Sequence, residues 1–416
     1  TDPLLEELAA EAAKDPDLPQ TTIEILALGL PGHADEAATK LERCLADTPV
    51  EELPAVLDQL GAAVAPHAHR LLLPYLHHDE LSVRHAAMDA AGTTADPEVV
   101  APLIELLDEG GCRPGAALAL QELGPVASPE LEALLADPGE RSYEALAAVV
   151  RTLGAGDAVE VAPRLLSLAD HPTLRMPALR ALVRLRRRKA LTLETTRILE
   201  LVKVEAEELT RELLFLSRGS WATARQEAPS EALLERCIAE GLDGRVERIF
   251  RLLALIYDDD DIRSAFRGLR SSLKSIRAGG LEFLDNLLAT ELKQRLLPLL
   301  EDTPAGPFAD LAKRSFGVIA ESRDALLIRL LSGDDPWQRA MAVHCVGVER
   351  REAARSHLAQ IDCTGNDVLA AIVARCQAQL DTPTFEEPAV GLTVIEKALK
   401  LQTVDVLRRA STEDLA

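Results

Sequence analysis

The chain has 416 residues, 47% of them apolar but only 3% aromatic, so its core must be built mainly from Ala and Leu. Such a core suits close helix-on-helix packing and disfavours sandwiches and barrels, where β-branched and aromatic residues dominate. A formal net charge of −23 and a pI near 4.9 argue against nucleic acid as the main ligand and against docking on an anionic membrane surface, since both need concentrated Lys and Arg.

The first 60 residues read as degenerate helix pairs: DPLLEELAAEAA, TTIEILALGL, HADEAATKLERCLAD and VEELPAVLDQLGAAV. Terminal repeats of a solenoid are often atypical because one face meets water. The clearest unit follows, HDELSVRHAAMDAAG (78–92) and then DPEVVAPLIELLDE (96–109). Its first helix carries small residues at helical spacing and ends at a Gly. Its second opens with Pro97 in the first turn, where a missing N–H costs nothing, and presents Leu and Ile as an inner stripe. The same grammar recurs in CRPGAALALQELG (112–124) with SPELEALLAD (128–137), and in ERSYEALAAVVRTLG (140–154) with DAVEVAPRLLSLAD (157–170). HPTLRMPALRALVRL (171–185) begins another unit. DPWQRAMAVHCVGV (335–348) with EAARSHLAQI (352–361) is a late one.

An Asp stands five positions before an Arg at Asp79/Arg84, Asp108/Arg113, Asp170/Arg175 and Asp334/Arg339, with Asp137/Arg141 a near match. Asp at an inter-repeat turn can cap the next helix, and the Arg can reach the neighbouring Asp, which would make a ladder of pairs. Residues 191–300 carry longer helical patterns (191–219, 231–258, 259–271), punctuated by Gly219, Pro229, Gly241 and Gly244, before repeat form returns at 271–302. DTPTFEEPAVG (381–391) reads as a linker, LTVIEKALKLQTVDVL (392–407) as an amphipathic helix, and STEDLA (411–416) as a capped helix start.

The Asp and Arg placement resembles the HEAT-repeat family, with short units of about 29 to 34 residues. A more specific likeness lies in RVERIFRLLALIYDDDDIRSAFRGL (245–269) and LEFLDNLLATELKQRLLPLLED (281–302). These resemble the HEAT-repeat region of bacterial fusion proteins that combine an ATP/ADP-carrier-like membrane domain, HEAT repeats and a cyclic-nucleotide-binding domain. The tail 392–416 resembles the lead-in to that last domain, through Ile395-Glu396-Lys397, Val404, Val406-Leu407 and Glu413-Asp414-Leu415-Ala416. It departs at Arg408 and Arg409, which stand where an apolar residue and a small turn residue are usual. The resemblance implies a region coupling a transporter-like domain to a cyclic-nucleotide sensor. Neither the phosphate-binding cassette nor any transporter residue lies in this chain, so no ligand residue carries over. The start Thr1-Asp2-Pro3, without an initiator Met, fits a piece of a longer protein.

The search for chemistry yields little. His67, His69, His77, His78 and His85 cluster without an HExxH pattern and read as turn and surface residues. Asp258 to Asp261 lack calcium-loop spacing and read as a solvated loop that favours the next helix N-terminus. Six scattered cysteines without a CxxC pair read as buried reduced thiols and imply a reducing compartment. No P-loop, GxSxG or GxGxxG fingerprint appears in context, and no catalytic, cofactor or metal residue is nominated. The one dense basic stretch is Arg180, Arg184, Arg186, Arg187, Arg188 and Lys189. It reads as a helix C-terminus rich in cations or as a docking patch for an acidic partner or phosphate group. Trp221 is a candidate ligand-facing aromatic, and Trp337 after Pro336 marks a helix start.

The expected fold is therefore all-α, a superhelical α-solenoid of short HEAT-like, armadillo-like repeats. Repeats are expected at 1–190, irregular longer helices at 191–270, repeats again at 271–380, and a linker and helix at 381–416. The expected function is a non-catalytic scaffold or regulatory solenoid with a protein partner, not an enzyme and without cofactor, binding no nucleic acid. Membrane and cyclic nucleotide enter only through further domains of a parent protein. The expected location is cytoplasmic, or the cytoplasmic part of a membrane protein. The alternatives are a free-standing soluble adaptor, or an enzyme on a HEAT scaffold similar to bilin lyases or DNA glycosylases. The charge and the two tryptophans oppose the glycosylase reading, and nothing in the sequence marks a bilin site.

Overall fold

The computed structural model describes residues 34–62, 68–139, 141–156, 159–171, 173–188, 191, 193–217, 229–301, 305–333, 335–361, 363, 367–381, 394, 395 and 397. Among them are twenty α-helices, short 3-10 turns and no strand. The chain is an all-α helical-repeat solenoid, and no described helix is long and apolar enough to cross a membrane. It divides into two compact units, 1–193 and 194–416.

In the first unit one row of helices comprises α2 (Leu53–Ala62), α4 (Leu81–Thr93), α6 (Arg113–Leu123), α8 (Tyr143–Ala155) and α10 (Arg175–Arg188), each packed on the next. Others alternate with them: α1 (Ala34–Asp47) and the shorter α3 (Ala68–Leu72), α5 (Val100–Leu106), α7 (Ser128–Ala136) and α9 (Ala162–Ser167). α5 packs on α6 and α9 on α10, which closes each pair over a shared core. That core is aliphatic. In the sequence's clearest unit Val83, Ala87 and Met88 of α4 and Val99, Val100 and Leu103 of the second element are all fully buried. As the sequence predicts, Pro97 opens the second element of that unit, and Asp96 caps it by accepting the Glu98 N–H at 2.9 Å.

Two of the repeat glycines do something other than end a helix. Gly92 lies inside α4, and a Cβ there would sit 2.9 Å from the Ala119 Cα of α6. Gly154 lies inside α8, and a Cβ there would sit 2.3 Å from the Ala181 Cβ and 2.7 Å from its Cα on α10. These glycines let successive helices approach backbone to backbone. Gly124 alone of the three terminates its helix, with φ +50°.

The Asp/Arg ladder also takes a different form from the one expected. Arg113 Nε donates to the Leu107 carbonyl and Arg175 Nε to the Ala169 carbonyl, both at 2.7 Å, and Arg339 Nε to that of Gly333 at 3.1 Å. Each arginine reaches back six residues to a carbonyl left open at the end of the preceding helix. The carboxylate of Asp108 is used by the following repeat instead. It accepts from Arg141 Nη1 at 2.7 Å, from the Ser142 N–H at 3.0 Å and from the Ser142 hydroxyl at 2.8 Å. Arg84 likewise pairs with Glu109 at 2.5 Å. Of the arginines in the sequence pattern, Arg84 and Arg141 thus pair with carboxylates at the turn after α5, Glu109 and Asp108 in place of Asp79 and Asp137.

The second unit begins with the two longest helices, α11 (Thr195–Ser217) and α12 (Pro229–Leu253). They run antiparallel, since Glu212 meets Arg245 and Glu205 meets Arg248. Gly241 and Gly244 do not interrupt α12. α13 (Asp259–Leu269) packs on α14 (Lys274–Leu287), which is followed by α15 (Thr290–Leu300) and α16 (Ala305–Phe316). α15 and α16 both return to α11. α17 (Arg323–Leu331), α18 (Pro336–Val348), α19 (Arg355–Leu358) and α20 (Asp367–Asp381) resume paired packing, with α12 as the neighbour of α18. Asp258 caps α13 by accepting the N–H groups of Asp260 and Asp261, so the acidic run serves a helix N-terminus as its position predicts. Asp335 caps α18 at Trp337 and Gln338. The linker and tail assigned to 381–416 fall, apart from four positions, outside the described residues.

Candidate functional site

The basic stretch is split by the geometry of α10. Helical spacing puts Met176, Pro177, Arg180, Ala181 and Arg184 on one face, opposite Tyr143 and Arg151 of α8. These seven residues line an open groove of about 160 Å³. Three guanidinium groups and no carboxylate line it, in a chain with 68 acidic residues against 45 Lys and Arg. Arg151, Arg180 and Arg184 are exposed, and among the described residues neither Arg151 nor Arg184 has an ion-pair partner. Tyr143 stands 49% exposed at the helix start, an aromatic in water where the sequence offers few. Met176 and Pro177 add apolar surface between the charges.

The remaining members of the stretch have other work or lie outside the described residues. Arg188 donates to the Ala155 carbonyl at the end of α8, as a cation near a helix C-terminus should. Arg186 and Arg187 also have interaction partners, and Arg186 is half-buried. Lys189 and Trp221 fall outside the described residues. Arg151 was not singled out by sequence, because it lies far from the basic run along the chain. Its eight-residue offset from Tyr143 was the available signal.

No family model matches the chain, and no curated protein matches it. Among solved structures it is similar to a crystal structure of an engineered protein, at 16% identity over 88% of this chain and 100% of that one, with a TM-score of 0.25. A superposition that loose carries no argument about fold or function.

The second unit holds a buried charge network that no sequence motif announces. Glu205, Glu208 and Glu212 form an i, i+3, i+7 stripe on α11. Glu212 is fully buried and lies 2.8 Å from Arg245 Nε, while Glu205 meets Arg248 Nε at 2.9 Å and Arg245 at 3.4 Å. Glu208 pairs with Arg211 at 3.2 Å and with Arg329 at 3.1 Å, and Arg329 also holds Glu321 at 3.1 Å. Desolvation pushes the Glu212 carboxyl above its ordinary value against the pull of Arg245. Perturbed acids cluster at functional sites. Here, though, every carboxylate has an arginine, so the network fixes how α11, α12 and α17 dock.

One nucleophile–base contact was invisible in the sequence. The Ser230 hydroxyl lies 3.2 Å from His344 Nε2, across the α12–α18 packing. His344 is buried, and the neighbouring Cys345 thiol donates to the Ser230 carbonyl at 3.8 Å. The contact ties the start of α12 to α18. Burial pushes the thiols of Cys345 and Cys376 up to about 12, which makes them inert packing residues. His78 Nδ1 accepts the Glu80 N–H at 3.1 Å, and His85 Nε2 meets the Gly111 carbonyl at 3.0 Å. His67 and the side chain of His69 lie outside the described residues.

Proposed function

We propose that the chain is a non-catalytic, HEAT-like scaffold that captures a protein partner by an acidic segment laid in the α8–α10 groove. The observation that carries this reading is the groove lined by Arg151, Arg180 and Arg184 with no carboxylate, in a strongly acidic protein. Guanidinium groups give carboxylates planar, paired hydrogen bonds. Tyr143 offers a face to an aromatic or aliphatic residue of the same segment. The charge of the rest of the chain repels acidic partners elsewhere and so concentrates them here. In a parent protein of the kind the sequence resembles, such a scaffold would relay between a membrane domain and a cyclic-nucleotide sensor.

The test is fluorescence anisotropy with a labelled acidic peptide containing one Tyr, titrated with the full chain at low and high salt. Each of Arg151→Ala and Arg184→Ala is expected to weaken binding roughly fivefold, the equivalent of about 1 kcal/mol for an exposed charge pair. Added salt should weaken it further. Affinity unchanged from the parent chain in both variants, or binding indifferent to salt, rules out this groove.

A further inference from the structure

The largest cavity among those described lies in the second unit, in a wedge between α11 and α15. Leu209 of α11 and Leu296 and Leu299 of α15 line a small void where the two helices pack. Toward the N-terminus of α11 a cavity of about 430 Å³ opens between them. That lies within the roughly 300–1,000 Å³ of small-molecule sites. Its floor is apolar. Leu199, Val202 and Ala206 share one face of α11, and Val202 and Ala206 are buried. Leu292 and Leu296 supply the facing wall, and Ile256 and Tyr257, at the turn between α12 and α13, close one end.

The rim decides the ligand's charge. It holds two cations, Lys203 and Arg295, and two anions, Glu200 and Glu291. Each already has a counter-ion: Arg295 with Glu291 at 3.4 Å, Glu200 with Arg197 at 3.4 Å, and Lys203 with Glu207 at 3.9 Å. The lining is therefore charge-balanced, and a charged head group would have to displace an existing pair. The hydroxyls of Thr195 and Thr196 remain as neutral hydrogen-bonding groups at the mouth, while Tyr257 Oη accepts the Ala289 N–H at 3.0 Å. α11, the turn before α13 and the start of α15 thus surround a space that their own side chains leave unfilled.

The geometry points to a binding site here for an uncharged, mainly apolar small molecule, held by apolar contact and one or two hydroxyl hydrogen bonds. It stands independently of the acidic-segment groove and survives if that reading fails.

The test is a fluorescence titration of the full chain with Nile red, an uncharged apolar dye. Leu199→Glu puts a charge in the mouth at a residue already 37% exposed, and Val204→Glu does the same at a 54% exposed position outside the cavity. Both positions are exposed enough for the fold to tolerate them, which circular dichroism melts check. A saturable signal at one site per chain, at least tenfold weaker in Leu199→Glu and unchanged in Val204→Glu, supports the site. Three results overturn it: no saturable signal, equal binding in Leu199→Glu, or equal loss in both variants. A dimer in sedimentation that Leu199→Glu breaks would also overturn it, by assigning the wedge to a second copy of the chain.

Discussion

At the scale of single residues the repeats are governed by what a position can fit. Gly-to-Ala inside a helix ordinarily stabilises by about 0.8–1 kcal/mol, because Ala loses less conformational freedom. At Gly154 the sign reverses. The added Cβ would fall on the Ala181 backbone, which cannot swing aside, and overpacking costs about 1–3 kcal/mol. Gly279, inside α14, has nothing within 4 Å of the same atom. Urea denaturation should therefore show Gly154→Ala less stable than the parent and Gly279→Ala more stable. Matching signs in the two variants would refute the close-approach role. The sequence grammar marked Gly92 and Gly154 as punctuation because it sees only the local chain. What they do depends on the alanine of the next repeat, about thirty residues on. The arginines show the same limit. The Asp-to-Arg spacing was legible, yet the acceptors proved to be carbonyls at helix ends, which no side-chain pattern records.

At the scale of elements, the α11–α12 hairpin departs most from repeat form, and it carries its specificity in buried charge. Removing one partner from a buried pair strands the other, which costs about 3–5 kcal/mol, while removing both can be nearly neutral. Arg245→Ala leaves Glu212 fully buried without its nearest cation, so it should lose stability on that scale in chemical denaturation. Adding Glu212→Ala should recover part of the loss, and a purely additive double mutant would show the two residues to be uncoupled. The Glu205–Glu208–Glu212 stripe could be read in the sequence as charge on a helix. Its burial could not be read there, because nothing local tells a carboxylate that another helix will bring arginines to it. The cationic groove divides the same way. Arg180 and Arg184 stood out as part of a basic run, whereas Arg151 joins them only because α8 packs on α10.

For the molecule as a whole, charge sets the response to pH. Near neutrality the chain repels itself, and that repulsion falls as pH drops toward the pI near 4.9. Below that, specific carboxylates oppose further acidification. Burial alone would raise Glu349 and Asp108, but hydrogen bonds and charge from Arg323 and Arg351 hold Glu349 below its ordinary 4.5, and Arg141 with Ser142 holds Asp108 below its 3.8. A group with a lowered folded-state value binds protons more readily when unfolded. Its stabilisation is full above the ordinary value and is lost as pH falls through the lowered one. Buried Glu212, with a raised value, works oppositely, and its contribution is lost as pH rises. Thermal melts should accordingly be most stable in the mildly acidic range and fall away below about pH 4.5. Glu349→Gln should lower the melting temperature at pH 7 and flatten the acid limb. An unchanged limb would remove Glu349 from the account.

Composition and periodicity alone determined that this protein is helical, that its helices pair in short repeats, and that its core is aliphatic, because helix formation and apolar spacing are local properties of the chain. Tertiary packing alone decided which glycines are contacts, which carboxylates are buried, which arginines share a groove, and where a cavity opens between α11 and α15. Those outcomes depend on residues tens to more than a hundred positions apart, whose proximity no local pattern encodes.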